Sequence, residues 1–573
     1  MESTHEVFNQ PAPLVGYNLF DTNRPLRDAL KFNAPQLELE SLARLGAVLG
    51  SAEMQTHARL ANTITPVLHT HDRFGRRIDE VEFHPSYHAL MSAAVGAGLH
   101  GTPWAGALEA PTLAGKPAAL PPKGALAPRG GPSALASPHV QRAAGFMLFT
   151  ELEPSMLCPI SMSYAVTPAL RGNAAVFADW GPKLASLGYD PALKPWRDKP
   201  GVTMGMGMTE KQGGSDVRAN TTRARHAGSD GWGERYEITG HKWFFSAPMC
   251  DAFLVLAQAP AGLSCFFLPR VLPDGSRNAI HIQRLKDKLG NKANASSEVE
   301  FHGASAWLVG EEGRGVPQIL EMGTMTRLDC ALGTSGLMRQ ALSLALNHTT
   351  QRQAFGKALV EQPLMKNVLA DLALESEAAT ALAMRLARAF DRAGDAHEQL
   401  MARLLTPVAK FWICKRGSHF AQEAMECLGG NGYVEEGGEG VMARVYREMP
   451  LNSIWEGAGN IMALDLLRGL RKGDAIAALA HELAPARGAD AALDRLADAL
   501  PARIEAMASE AEARRLAQDV ALAVQGALLV RTAPAAVAGA FCASRLGGDW
   551  GHAFGTLGGG IDFDAIIERA RPR

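Results

Sequence analysis

The stretch from Gly205 to Val217, GMGMTEKQGGSDV, packs hydroxyls, a carboxylate pair and a Gly-Gly step into thirteen residues. Gly213-Gly214 lets the main chain approach a flat ring or a phosphate, and Thr209 and Ser215 carry hydroxyls suited to polar ring edges. A Gly-Gly-Ser-Asp turn ahead of a helix also occurs without any ligand. The loop alone therefore leaves a cofactor wall and an idle turn both open, and the flanking segments have to decide.

Around this loop, residues 201–312 read as short β-branched or aromatic runs, RYEITG, AFLVLAQ, SCFFLP, AIHIQR and SEVEF, separated by Gly, Pro, Asn and Asp. That pattern predicts a mainly antiparallel β domain. Residues 1–200 read as a helical domain, with apolar three-and-four spacing in segments such as LESLARLGAVLG and one polar turn, HDRFGRRIDE. Within it, residues 105–138 are rich in Pro, Gly and Ala and read as a flexible surface insertion. Long helices return over 313–473: Leu382, Leu386 and Phe390 make a stripe, Gly394 suits a helix stop, and Asp395 with Glu398 suits a capping box. Residues 474–573 predict an extra helical domain, with Leu493, Leu496 and Leu500 on one face and Leu516, Val520 and Val524 on another. The predicted class is α+β in the order helices, sheet, helices, helices.

Composition bounds the function. Across 573 residues, 47% are hydrophobic and 20% charged, which fits a soluble globular protein, and the net charge of -2 gives no global sign of nucleic-acid or membrane affinity. The seven cysteines contain no C-x-x-C pair, which points to reduced thiols in a cytoplasm and away from disulfides or zinc. No export signal or membrane span is expected, and no metal site: His84 and His88 lack a carboxylate or thiolate at ligand spacing, and Pro85 favours a helix start and an ordinary capping role, so the two histidines are assigned no function.

Four further constellations carry chemistry. In GHKWFFSA, Gly240 to Ala247, an aromatic strand ends in the hydroxyl of Ser246, a donor on a rigid element. Ser453 to Asn460, SIWEGAGN, sets Glu456 between the Trp455 indole and two glycines, where burial would raise a carboxyl toward general-base range. Arg352 to Gly356, followed by Gln362, and the turn Gly429-Gly430-Asn431-Gly432 each suit a pyrophosphate, or equally a helix end with a solvated cation.

In this order and spacing, over about residues 145–470, the segments resemble the acyl-CoA dehydrogenase family of flavoproteins. The family pattern T-E-x-x-x-G-S-D matches Thr209 to Asp216, its lysine-aromatic-x-hydroxyl strand matches Lys242, Phe244 and Ser246, R-x-x-F-G matches Arg352, Phe355 and Gly356, and its glutamate falls on Glu456. The resemblance implies FAD, with its ring between the sheet and the second helical bundle. Met206, Gly207, Met208, Thr209, Gly214, Ser215, Phe244, Phe245 and Ser246 would line the flavin, with Trp455 and Asn460 also at the cofactor. Arg352, Phe355, Gln362, Gly429 and Gly430 would meet its adenosine-pyrophosphate half across a dimer interface in a homotetramer. Glu456 would act as the base beside Arg327.

The strings VFNQP, NTTRA, RLKDKLGNKANAS, TRLDCALG, CKRG and YREMPLNSIWEGAGNIM narrow the likeness to the alkylation-response, AidB-like branch. That branch implies double-stranded DNA as a partner and protection against alkylating agents, with acyl-CoA dehydrogenation weak or incidental. Thr324 stands where the family has an Asp three residues before the arginine, and the acid appears instead as Asp329, which argues against thioester turnover. Glu426 replaces the glutamine before the Gly-Gly turn, and Gln362 lies one residue early. The branch places DNA on the C-terminal helices, yet Arg471 to Arg573 holds twelve Lys or Arg against thirteen Asp or Glu. The candidate contacts are local clusters: Arg471 and Lys472, Arg514 and Arg515, Arg569 and Arg571. Pairing with Asp474, Glu510, Glu512 and Glu568 is the competing use of these cations.

Overall fold

The computed structural model describes residues 4–108, 137–507 and 509–573. Most of the 105–138 insertion therefore lies outside the described residues; at its edges, Thr102–Leu108 and Pro138–Leu152 are helices. The chain forms two compact units. A sheet unit takes Thr56–Pro138 and Glu153–Asp329, and a helical unit takes Met1–Gln55, His139–Leu152 and Cys330–Arg573.

The sheet unit begins with a departure from the helical expectation. The polar turn HDRFGRRIDE belongs to a hairpin of β1 (Val67–His71) and β2 (Arg77–Glu82). Asp72 closes the turn by accepting from Phe74 N and Arg76 N. Arg77 then donates to Ile282 O while Ile282 N donates to buried Asp79. Those bonds are tertiary, so a reading of local periodicity could not find them.

The main sheet has β3 (Met204–Gly207), β4 (Arg223–Asp230), β5 (Gly233–Ser246), β6 (Ala252–Ala259), β7 (Gly262–Pro269), β8 (Ile280–Leu285) and β9 (Ser296–Val309). Strands β6, β4, β5, β9 and β7 pair in sequence, and β7 returns to β6, which closes a ring with β3 and β8 added outside it. Closure leaves few open edges. The pairing is antiparallel as predicted, except where β3 and one rung of β4 run parallel to β6. The predicted runs all lie on strands, and Phe253, Phe266 and Phe267 fill the core.

In the helical unit, Pro363–Asp391 and Ala396–Glu426 are joined by a short turn in which Asp395 accepts from Glu398 N, the anticipated cap. Helix Ala513–Thr532 packs on both of them and on Gly459–Leu470, burying Leu516, Val520 and Val524 as the pattern predicted. Each such side chain stabilises the packing by about 1.5–3 kcal/mol. Residues 474–573 are also fixed by charge: buried Arg385 makes a two-pronged pair with Glu482, both contacts 2.7 Å, and a third bond with Glu398 at 2.7 Å. The C-terminal helix Phe563–Ala570 lies against Arg24–Asn33. There Arg569 pairs with Asp28 and Glu377, Arg24 donates to Glu568 O, and Arg339 donates to Ala570 O.

Candidate functional site

In the sheet unit, the glycines of the GMGMT run are set by packing. A Cβ at Gly205 would come within 2.7 Å of the Phe253 ring and one at Gly207 within 2.6 Å of Phe245. These rings lie 4.1 Å apart and are fully buried, so Phe245, expected to line a cofactor, supports the wall as core. Met206 is buried beside it. In the following loop, a Cβ at Gly214 would meet Thr209 Oγ1 at 2.3 Å, whereas Gly213, at φ 144°, borders open space.

The loop is fastened to β5. Trp243 N donates to Thr209 O at 2.8 Å, and Lys211 N donates to His241 Nε2 at 3.1 Å. Beneath them Lys242 and Glu210, both with fully buried side chains, pair at 2.8 Å. Lys242 also donates to Leu256 O, and Glu210 accepts from Gln212, from Thr221 through N and Oγ1, and from Thr222 N. Burial opposes the Glu210 charge, but the Lys242 ammonium and these donors outweigh it and hold the carboxyl well below its usual range. The wall above offers Phe244, 50% exposed, together with the hydroxyls of Thr209, Ser215 and Ser246, none of which has a protein hydrogen-bond partner among the described residues.

In the helical unit, Glu456 lies in the turn between Val441–Asn452 and Gly459–Leu470, half-buried and at φ 60°. A non-glycine residue in that region costs about 1–3 kcal/mol and persists only where its surroundings impose it. Buried Lys410 does so, donating to Asn452 O at 3.2 Å and Gly457 O at 2.7 Å, on both sides of Glu456. Trp455 Nε1 donates to Asn452 Oδ1, and Asn460 opens the next helix, exposed. Lys410 is not among the site residues read from the sequence; its place in mid-helix between apolar neighbours is the signal of a structural role. Arg327, half-buried, and Asp329, buried, belong to the sheet unit, on the first part of the helix Gly315–Gln351.

A second group in the same unit gathers Arg352, Phe355, Gln362 and the Gly429-Gly430 turn. Gln362 donates to Ala354 O and closes the Arg352 turn, at whose tip Phe355 is 97% exposed and Gly429-Gly430 borders open space. The segment Asn9 to Ala12, which sequence reading did not connect with this group, joins it: Arg352 donates to Asn9 O at 2.6 Å and Asn431 donates to Gln10 Oε1 at 3.2 Å.

The basic candidates divide. Arg569 is 11% exposed and committed to Glu377 and Asp28, and Arg571 pairs with Glu568. Arg515 contacts Asp519 but stays largely exposed, and Arg514 sits over Phe411. Arg471 and Lys472 are exposed. Among the described residues no helix is long and apolar enough to cross a membrane, and no metal-binding cluster is present.

A helical region, a closed β domain carrying a hydroxyl-lined wall and a helical bundle holding a strained glutamate define an acyl-CoA dehydrogenase fold, and the chain belongs to that family. Models of the acyl-CoA dehydrogenase middle domain and C-terminal domain match residues 205–304 and 313–471. The branch is the AidB type: the adaptive response protein AidB N-terminal domain matches residues 9–119 and 132–191, and the chain is 47% identical to AidB of Escherichia coli (strain K12) over 94% of both chains. Acyl-CoA dehydrogenase family member 11 of Caenorhabditis elegans is 29% identical over 80% of this chain and 72% of its own. The solved apo form of Bd2924 superposes with a TM-score of 0.77 at 30% identity, covering 91% of this chain and 99% of that one. The Caenorhabditis elegans ACDH-11 structure in complex with C11-CoA shares the fold, with a TM-score of 0.76 at 24% identity over 100% of this chain and 94% of that one.

Proposed function

We propose that this chain is an FAD-holding, DNA-binding flavoprotein of the response to alkylation damage, which protects DNA or inactivates alkylating agents in the cytoplasm. The observation that carries the reading is the AidB likeness over 94% of the chain together with an intact hydroxyl wall. Three uncommitted hydroxyls, Thr209, Ser215 and Ser246, and the half-exposed Phe244 suit the polar edge and flat face of an isoalloxazine. Bound FAD would supply a hydride acceptor. Arg352, Gln362 and the Gly429-Gly430 turn suit its diphosphate.

Self-association as a homotetramer is supported by a cluster of exposed apolar side chains, Phe8, Phe355, Leu364 and Tyr433, on the segments around Arg352. Double-stranded DNA would be met by Arg471, Lys472, Arg514 and Arg515, the exposed members of the candidate set. The test is to assay purified protein for bound FAD and for retardation of labelled duplex DNA across a salt series. FAD and a salt-weakened shift are expected; absence of FAD, or of any shift at low salt, overturns the corresponding half.

A second reading is thioester dehydrogenation, favoured by the left-handed turn in which Lys410 holds Glu456. There Glu456 takes the α-proton of an acyl-CoA. Anaerobic bleaching of the flavin by a panel of acyl-CoA esters, lost in Glu456→Gln, supports it. No bleaching at any chain length removes it.

A further inference from the structure

The N-terminal arm is bound to the Arg352 turn more intimately than packing requires. Asn9 adopts φ 56°, a left-handed conformation uncommon for any residue but glycine. In that conformation its side chain reads both backbone groups of one residue: Asn9 Nδ2 donates to Gln353 O at 2.8 Å and Gln353 N donates to Asn9 Oδ1 at 2.8 Å. Its carbonyl meanwhile accepts from Arg352 Nη1 at 2.6 Å. Three residues on, Ala12 N donates to Gln351 Oε1, and Asn347 donates to Ala12 O. Between these anchors Gln10 accepts from Asn431 in the glycine turn.

One short extended segment thus ties together the two elements assigned to the diphosphate half of the cofactor. An arginine on a turn of exposed residues loses side-chain entropy when it grips a phosphate. A fixed carbonyl on one guanidinium nitrogen removes much of that cost beforehand and leaves the remaining N–H groups to an anion. We infer that the arm Asn9 to Ala12 is a positioning element of the cofactor's diphosphate site, in which Asn9 pre-orients Arg352 and Gln10 pre-orients the Gly429-Gly430 turn. The inference rests on the FAD reading above.

Its test compares FAD with FMN, which lacks the adenosine-diphosphate half. Apo-protein is titrated with each flavin by fluorescence quenching, for the full chain, a chain lacking residues 1–12, Asn9→Ala, Asn9→Gly and Arg352→Ala. The deletion and Asn9→Ala are expected to weaken FAD binding about tenfold, the worth of one charge-assisted hydrogen bond, and to leave FMN binding unchanged. Both variants keep the backbone carbonyl that Arg352 meets and lose the two side-chain bonds to Gln353, but Asn9→Gly still favours the left-handed backbone that aims this carbonyl, so it is expected to fall between wild type and Asn9→Ala. Equal losses for FAD and FMN would show mere loosening of the fold and overturn the inference. Unchanged FAD affinity in the arm variants, with Arg352→Ala weakened, overturns it while sparing the cofactor reading. Unchanged FAD affinity in Arg352→Ala overturns the reading of that turn, and the inference falls with it.

Discussion

Replacing Lys242 by Met tests what holds the hydroxyl wall together. Met fills nearly the same volume, so the change is chiefly the loss of the ammonium from a site where both partners are fully buried. Removing one member of a buried ion pair costs about 3–5 kcal/mol, because the other charge is left without compensation. Glu210 keeps donors from Thr221, Thr222 and Gln212, which places its share at the low end, while Leu256 O loses its side-chain donor and adds about 1 kcal/mol. The expected cost is about 4 kcal/mol, concentrated in β3 and β5. Because the chain has two units, a single unfolding midpoint would blur this, so amide hydrogen exchange on residues 204–207 and 242–246 is the suitable assay. Lys242→Met with Glu210→Gln leaves no orphan charge and should regain about 2 kcal/mol. If exchange in Lys242→Met is within about 1 kcal/mol of wild type, or the double variant is no better than the single one, the pair is not what fixes the wall.

Lys410→Met orphans two carbonyls flanking Glu456 and should cost about 3 kcal/mol; protease cleavage after Ile454 or Trp455 should speed up, and unchanged cleavage would mean that Lys410 does not hold the turn. Acid should loosen the helical unit through Glu482. Burial opposes its charge, but the Arg385 bonds hold its pKa down at about 2, so the stability it contributes is complete above the ordinary carboxyl range of about 4.3 and is lost as pH falls toward 2. An acid titration of helix 475–483 amide exchange should show this window in wild type and lose it in Glu482→Gln. Arg471→Glu with Lys472→Glu should flatten the salt dependence of duplex DNA binding by roughly two counterions' worth, and an unchanged slope would move the DNA contact elsewhere.

Where local pattern and tertiary demand coincide, the sequence is a direct guide. The alternating runs AFLVLAQ and SCFFLP lie on adjacent strands, and Asp395 caps the helix it precedes. The loop at Thr209 was legible as a hydroxyl-bearing turn, but the reason for Gly205 and Gly207 was not, since it lies in the rings of Phe245 and Phe253, well over thirty residues along the chain. Long separation also hid the hairpin Val67–Glu82, which is held by Ile282, and the arm at Asn9, which is held by Arg352. Charge counting over the tail treated Arg569 as surface; its partners, Asp28 and Glu377, belong to segments that no local window contains.

The clasp of Arg569 on Asp28, and of Arg339 on Ala570 O, sets an order of events during synthesis. Helix Arg24–Asn33 is made long before Phe563–Ala570, one of the helices it packs against along with Pro363–Asp391. At about 5–20 residues per second, the first helix waits roughly half a minute to two minutes for this one of its partners. The sheet unit, complete by Asp329, can close during that interval. The helical unit is instead complete only once Phe563–Ala570 has been made, so its earliest segment spends the longest time without its full set of partners.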